Sequence, residues 1–370
     1  MIKEEIGIKN IVPEGTRDFT IDECKKRNEI IKIITMVFEK WGYEEIATPT
    51  IEYYETFKHK TQNLKEEEMY KFFDKNGRIL VLRPDMTVPV ARMINTKLKD
   101  MNLPLKLFYK ANVFRVHESL EGKRNEYLDC GIELIGGDGE GIDLEVLITA
   151  LEVLKFLKTK ESFKLEIGNV NILKSAINSM DLSKNHKENI IELINKKSLI
   201  NLKCYLENLE IKEEYKEFLM TLPWIFGGCE MIKKAKKIAF NDEIKENILY
   251  LEKLFLNLVE LGYEKYISLD MSMVPRLNYY SGVIFKGYVN GIGSTVLRGG
   301  RYDGLLENFG RKVSAIGFSV DVNLLINSCN YNENIKKKNI IVNKNDYLTA
   351  LKNAIKETRN NEYIDIEYKE

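Results

Sequence analysis

No charge of one sign dominates this sequence. Lys and Arg together number 56 and Asp and Glu number 56, so the formal net charge over 370 residues is zero. A protein that grips a long stretch of nucleic-acid backbone draws much of its affinity from phosphate contacts and usually carries a cationic excess. Neutrality counts against that role. Cysteine pairs are also missing. Cys24, Cys130, Cys204, Cys229 and Cys329 form no CxxC motif and are odd in number, which argues against a zinc site and fits free thiols in a reducing cytoplasm. The three histidines, His59, His117 and His186, are far apart and show no metal-ligand spacing, and each reads as a surface residue. No run of about 18 apolar residues occurs, so no membrane span is expected, and the opening MIKEEIGIKN lacks the apolar core of a signal peptide. No Ser-His-Asp or Cys-His arrangement stands out.

What is present is periodicity of two kinds. In residues 22–41, Ile30, Ile33, Ile34, Val37, Phe38 and Trp41 fall at helical spacing, and Gly42 ends the helix. YEEIATPTIEYYETF then reads as a strand broken at Pro49. ILVL (79–82) is a short apolar strand, and RPDMTVPVARMI a loop turning into a helix. LKLFYKANVFRV and EYLDCGIELIG read as the arms of an antiparallel hairpin with a long charged tip. Residues 142–158 form a helix with Leu144, Leu147, Ile148, Leu151, Leu154 and Leu157 inside. Helix formers dominate from about 170 to 262, a helical insertion, after which strand patterns resume. Residues 326–337 read as a polar linker, and 338–370 as a short β-α-β tail. The mixture, without regular βαβ alternation, favours α+β with a mainly antiparallel sheet.

Local motifs are weaker. GGDGEG (136–141) lacks the Lys-Ser/Thr of a phosphate loop and reads as a turn. GIGSTVLRGGRYDG (291–304) sets glycines beside Arg298, Arg301 and Tyr302, either as a close ligand approach or as a tight strand connection. Arg83, Asp85, Thr87, Arg115, Asp129 and Glu133 lie in or beside apolar strands. Singly each reads as a solvated face or an ion pair, while together they could line a polar pocket.

These motifs fall in the order of a class II aminoacyl-tRNA synthetase and resemble those of histidyl-tRNA synthetase. VPEGTRDF (12–19) is similar to that family's entry segment, and GYEEIATPTIEYYETF (42–57) to motif 1, the dimer-building element. LRPDMTVPVAR (82–92) resembles the L-R-P-E-x-T segment, and residues 108–136 resemble motif 2. LPWIFGG (222–228) and residues 268–288 resemble the insertion and the histidine-binding segment, and residues 299–322 resemble motif 3. The resemblance spans about residues 10–325 and implies the class II synthetase-like sheet flanked by helices.

Carried over residue by residue, the family's amino-group acid falls on Asp85, with Thr87 beside it. The motif 2 arginine is kept as Arg115, the acid after it becomes His117, the family's Gln becomes Asp129, and Glu133 is kept. R-G-L-D-Y-Y becomes Pro275-Arg276-Leu277-Asn278-Tyr279-Tyr280, so the tyrosines survive and the catalytic arginine falls on Pro275. The motif 3 arginine falls on Leu324. Adenylate formation gathers negative charge that guanidinium groups stabilise, and each such donor is worth roughly a hundred- to thousandfold in rate. The tail is too short for an anticodon-binding domain, itself about a hundred residues.

This pattern resembles the ATP phosphoribosyltransferase regulatory subunit family. It implies a non-catalytic protein needing no cofactor or metal, a homodimer within a hetero-oligomer with the short-form catalytic subunit, and no tRNA or membrane partner. It implies L-histidine bound by Asp85, Thr87, Arg115, Asp129, Glu133, Tyr279 and Tyr280, with Glu133 leaning on Arg115 in the free protein. The apolar face of Ile30, Ile34, Phe38 and Trp41 is expected to help build the homodimer. A truncated working synthetase, or a paralogue sensing another amino acid, are the competing readings. The loss of two guanidinium groups predicts that the purified protein with histidine, ATP and labelled pyrophosphate shows no exchange above background. Appreciable turnover would mean that Pro275 and Leu324 are misaligned.

Overall fold

The computed structural model of the protein describes residues 11–58, 66–117, 124–275, 279–329, 337–343, 347–360 and 363–369. His59, the hairpin tip 118–123, and Arg276, Leu277 and Asn278 lie outside the described residues. The chain divides into two compact units, residues 1–329 and 330–370.

The first unit opens with α1 (Ile21–Lys40), closed at its start by a capping box between Thr20 and Glu23. It continues through β1 (Glu44–Glu45), β2 (Ile51–Tyr53), β3 (Lys71–Phe73), β4 (Ile79–Leu82), α2 (Thr87–Thr96) and the long hairpin β5 (Leu105–Phe114) and β6 (Glu126–Ile135). Next come α3 (Glu140–Phe156) and β7 (Phe163–Asn169). The expected helical insertion follows as α4 (Val170–Asn178), α5 (Lys184–Asn195), α6 (Leu199–Glu207), α7 (Glu213–Thr221), β8 (Phe226–Gly227), α8 (Glu230–Ile238) and α9 (Asp242–Glu260). The unit closes with β9 (Ile267–Asp270), β10 (Val283–Val289), β11 (Leu297–Arg301), β12 (Ala315–Asp321) and α10 (Val322–Leu325).

Nine strands form one sheet in the order β1-β5-β6-β12-β11-β10-β7-β9-β8. Among its described strand pairs, β1–β5 and β7–β9 are parallel and the rest antiparallel, so the α+β class and the mainly antiparallel sheet are as expected. A small antiparallel sheet, β2-β4-β3, lies apart from it. Its strand β3 escaped the sequence reading because three residues carry too little alternation to register.

Side chains alternate across a strand, and the large sheet uses its two faces differently. Phe108, Cys130, Ile132, Phe285, Leu297, Ile316 and Phe318 join Ile30, Phe38, Leu147, Leu151 and Leu154 in one core under α1 and α3. Ile30, Ile34 and Phe38 are each 3% exposed or less. That overturns the expectation that this face of α1 is left for a second subunit, since the chain's own sheet covers it. Among the inner residues expected of α3, Leu147, Leu151, Leu154 and Leu157 are buried, while Leu144 and Ile148 are partly buried against the same core. Gly136, Gly137 and Gly139 of the GGDGEG run all adopt left-handed φ values and turn the chain from β6 into α3.

The expected linker began at 326, but Ile326 is 1% exposed and Cys329 pairs with Thr159 in an isolated bridge. The division therefore falls after Cys329. The second unit is β13 (Lys337–Asn343), α11 (Tyr347–Arg359) and β14 (Tyr363–Lys369), with its two strands parallel. All five cysteines are free. Among the described residues no helix is long and apolar enough to cross a membrane, and no group of three potential metal ligands occurs.

One buried ion pair ties the sheet to α3. Arg301 Nε donates to Asp143 Oδ1 at 2.9 Å, and Tyr250 of α9 donates to Asp143 Oδ2 at 2.7 Å. Asp143 is 1% exposed. Removing the cation alone leaves a buried carboxylate uncompensated, which typically costs about 3–5 kcal/mol. Arg301→Met is therefore expected to lower the urea-unfolding free energy by about that amount, and a loss well below it would mean that water reaches Asp143.

Candidate functional site

The other face of the sheet is polar. Its residues come from the same strands at the alternate positions: Tyr109 on β5, Asp129, Gly131 and Glu133 on β6, Arg298 and Gly300 on β11, and Gly317 and Ser319 on β12. Tyr109, Asp129, Glu133, Arg298, Gly317 and Ser319, together with Thr87 of α2, residues 273–275, Tyr279, Tyr280 and one side of α5, line a cavity of about 1050 Å³. All seven residues expected to bind histidine, Asp85, Thr87, Arg115, Asp129, Glu133, Tyr279 and Tyr280, line it.

Glu133 is 2% exposed. It can lie there because β12 carries no side chain opposite it: a Cβ built on Gly317 would come within 2.0 Å of Glu133 Oε2. Gly131 is as constrained, since a Cβ there would meet the Tyr109 hydroxyl at 2.5 Å. The Tyr302 hydroxyl donates to Glu133 Oε2, and Thr87 adds a side-chain hydrogen bond. The expected lean of Glu133 on Arg115 is thus corrected. Both of these partners reach the carboxylate without a charge, and burial pushes Glu133 up to about 8.

Arg115 instead donates its Nε to the Pro84 carbonyl at 2.7 Å, and its charge faces Asp85 and Asp129. Asp85 Oδ1 accepts the Val88 N–H at 3.1 Å at the start of α2, while Asp85 Oδ2 is buried with no hydrogen-bond partner. Burial raises the Asp85 carboxyl. Burial together with the nearby Asp321 carboxylate raises Asp129 to about 7. Tyr279 and Tyr280 form an aromatic wall with ring centroids 4.8 Å apart, and Tyr302 meets Tyr279 edge-on at 5.7 Å. Three buried acids thus face one buried guanidinium across the cavity.

Arg83 does not line the cavity. It donates to the Asn112 carbonyl at 2.8 Å and the Thr48 carbonyl at 2.7 Å, a structural clamp. Of the pair in the glycine-rich run, Arg298 reaches the cavity while Arg301 points to Asp143. His186 sits on α5 with Nδ1 2.6 Å from the Tyr205 hydroxyl, away from the site. Sequence reasoning missed Tyr109, Lys286 and the side of α5 carrying Glu188, Ile191 and Asn195. Their helical spacing was visible, but nothing local told what that side faces. Pro275 lines the cavity where the family's catalytic arginine would fall, whereas Leu324 lies on α10 and does not.

A class II synthetase-like sheet with a polar pocket on its open face is the class that fold and site define. The histidyl-tRNA synthetase family model matches residues 15–325. The ATP phosphoribosyltransferase regulatory subunit of Bacillus mycoides is 40% identical over 320 residues, 86% of this chain and 76% of that protein. A Bacillus cereus protein of the same name is 41% identical over the same shares. The crystal structure of an ATP phosphoribosyltransferase regulatory subunit/histidyl-tRNA synthetase from Bacillus halodurans superposes with a TM-score of 0.86 at 31% identity, covering 97% of this chain and 93% of that one. The histidyl-tRNA synthetase of Nostoc shares the fold, with a TM-score of 0.79 at 20% identity, over 98% of this chain and 86% of that one. The chain belongs to the ATP phosphoribosyltransferase regulatory subunit family.

The raised Glu133 carboxyl has a readable consequence. Its folded pKa lies above the ordinary value of 4.5, so the folded chain holds this proton more tightly than the unfolded one. The resulting stabilisation is whole below the ordinary value and is lost as pH rises through about 8. The ligand-free protein is expected to lose stability over that window, and Glu133→Gln to flatten the slope. Equal slopes in wild type and variant would show that Glu133 is ionised throughout.

Proposed function

We propose that the protein is the non-catalytic regulatory subunit of a cytoplasmic ATP phosphoribosyltransferase. In this reading it forms a homodimer within a hetero-oligomer with the short-form catalytic subunit, supports that subunit's activity, and carries L-histidine as the feedback signal of histidine biosynthesis. Family membership supports the assembly. The observation that carries the ligand is the partnerless Oδ2 of Asp85, buried within the same cavity as Glu133 and Arg115. A buried acceptor without a donor is costly, and an ammonium group would satisfy it. Arg115 supplies a planar donor for the carboxylate of the same zwitterion, and the tyrosines give an imidazole aromatic walls with polar tips.

The same geometry fits a subunit that binds without reacting. The kept groups are those for an amino acid's ground state, whereas the positions expected to stabilise a pentavalent phosphate hold Pro275 and Leu324.

Glu133→Gln removes the titratable carboxyl and leaves the volume. It is expected to weaken histidine binding by about 1–3 kcal/mol, the worth of a charged hydrogen bond, while the reconstituted complex keeps its activity and resists inhibition. Calorimetric titration and inhibition curves check both. No heat with the wild-type protein, or an unchanged inhibition curve in the variant, would place the regulatory site elsewhere.

A further inference from the structure

A second cavity, of about 590 Å³, opens between the 14–19 segment, α1 and the outer end of the β5–β6 hairpin. It shares no lining residue with the polar pocket. Its walls carry an unusual concentration of unmet hydrogen-bonding capacity. Arg17 Nε, Arg27 Nε, Arg124 Nη1 and Asn323 Oδ1 are all buried with no partner, and all four residues line this one cavity. Buried polar atoms are normally satisfied by protein or water, and each exception calls for a reason.

The three guanidinium groups are not arranged as surface ion pairs would be. Arg17 keeps one bond to Glu23, at 2.8 Å. Among the described residues, Arg27 reaches the Asn112 side-chain oxygen, at a long 3.5 Å. Both lie against the Phe19 ring, 4.3 and 4.9 Å from its centroid, and that contact fixes their planes. The Arg124 guanidinium is held below its ordinary pKa by burial and by the like charge of Arg17. Cations that crowd together with open donors are in the arrangement that an oxyanion with several acceptor oxygens would relieve. Acids are present as well. Glu126, whose carboxylate accepts from Asn112 at 2.7 Å, lines the same cavity, and Asn323 offers an open acceptor. These two features disfavour a bare polyanion and suit a ligand with hydroxyl donors beside its charge.

We propose that this cavity is a second ligand site, for a small phosphate ester bearing hydroxyl groups, of the sugar-phosphate class. The guanidinium groups of Arg17, Arg27 and Arg124 hold the phosphate, and Asn323 and Glu126 accept hydroxyl protons. The volume lies within the range of small-molecule pockets. The site is independent of the histidine reading, because it sits on the opposite face of the hairpin.

The test is calorimetric titration of the full-length protein, without histidine, with ribose 5-phosphate and with inorganic phosphate. Ribose 5-phosphate is expected to bind about tenfold tighter than inorganic phosphate, the worth of one or two further hydrogen bonds. Arg27→Gln and Arg124→Gln are each expected to weaken both probes about tenfold or more, and Asn323→Ala to remove the preference for the sugar. The thermal transition of ligand-free Arg124→Gln reports the fold and is expected at or above that of wild type, because a like-charge contact is gone. No binding of either probe at millimolar concentration, or binding unchanged in both arginine variants, would overturn the site. Equal binding of the two probes would overturn the ligand class.

Discussion

Glu133 can be buried in the sheet only because the neighbouring strand presents Gly317 where any other residue would put a Cβ against the carboxylate. Much of the pocket's arrangement follows from that. With its carboxylate lodged over the glycine, Glu133 is reached by the Tyr302 hydroxyl and by Thr87, not by the guanidinium. Arg115 is then left to Asp85 and Asp129. Asp85 spends one oxygen on the first turn of α2 and keeps the other unpartnered. The result is a deficit of donors inside a low-dielectric site, where an unmet acceptor is costly and a matching cation is favoured.

That polar face is affordable because the opposite face is not polar. Strand alternation sends Ile132, Ile316 and Phe318 beneath α1 and α3 while their neighbours Glu133, Gly317 and Ser319 face the pocket. β11 shows the division within one strand. Arg298 points into the pocket, and Arg301, three residues on, points to Asp143 on α3. A one-residue register slip would exchange these roles and bury both charges wrongly. The buried Arg301–Asp143 contact can therefore hold the register as well as the helix.

The fold was legible where elements are long and patterned. α1, α3 and both arms of the hairpin announce themselves by period, and the stretch from about 170 to 262 shows as an insertion rich in helix formers. Charged residues beside apolar strands hinted at a polar pocket, but its ligand set was legible only through collinear motifs. Asp85, Arg115 and Glu133 are far apart in sequence, and nothing in their spacing says that a loop, a strand end and a strand centre converge. Three features stayed hidden for physical reasons. The partner of Glu133 depends on which hydroxyl lies over Gly317, a tertiary matter. The cover of Ile34 and Phe38 depends on the chain's own sheet, which an amphipathic pattern does not distinguish from a second subunit. The arginines of the second cavity sit in three unrelated contexts: an entry segment, a helix side and the residues just before β6.

The kept and lost residues separate along a physical line. Binding an amino acid requires groups that complement its resting charges, and in the proposed reading those are the acids, Arg115 and the tyrosines. Accelerating adenylate formation requires groups complementary to charge that appears only in the transition state. By the family resemblance, the positions that would supply them fall on Pro275 and Leu324. Losing such groups leaves ground-state affinity largely intact, because they contribute little until the phosphate begins to react. In the proposed reading, a site altered in this way would keep its occupancy responsive to ligand concentration without consuming the ligand. Its binding energy then becomes available to shift an equilibrium between conformations or assemblies, to the extent that the ligand prefers one of them.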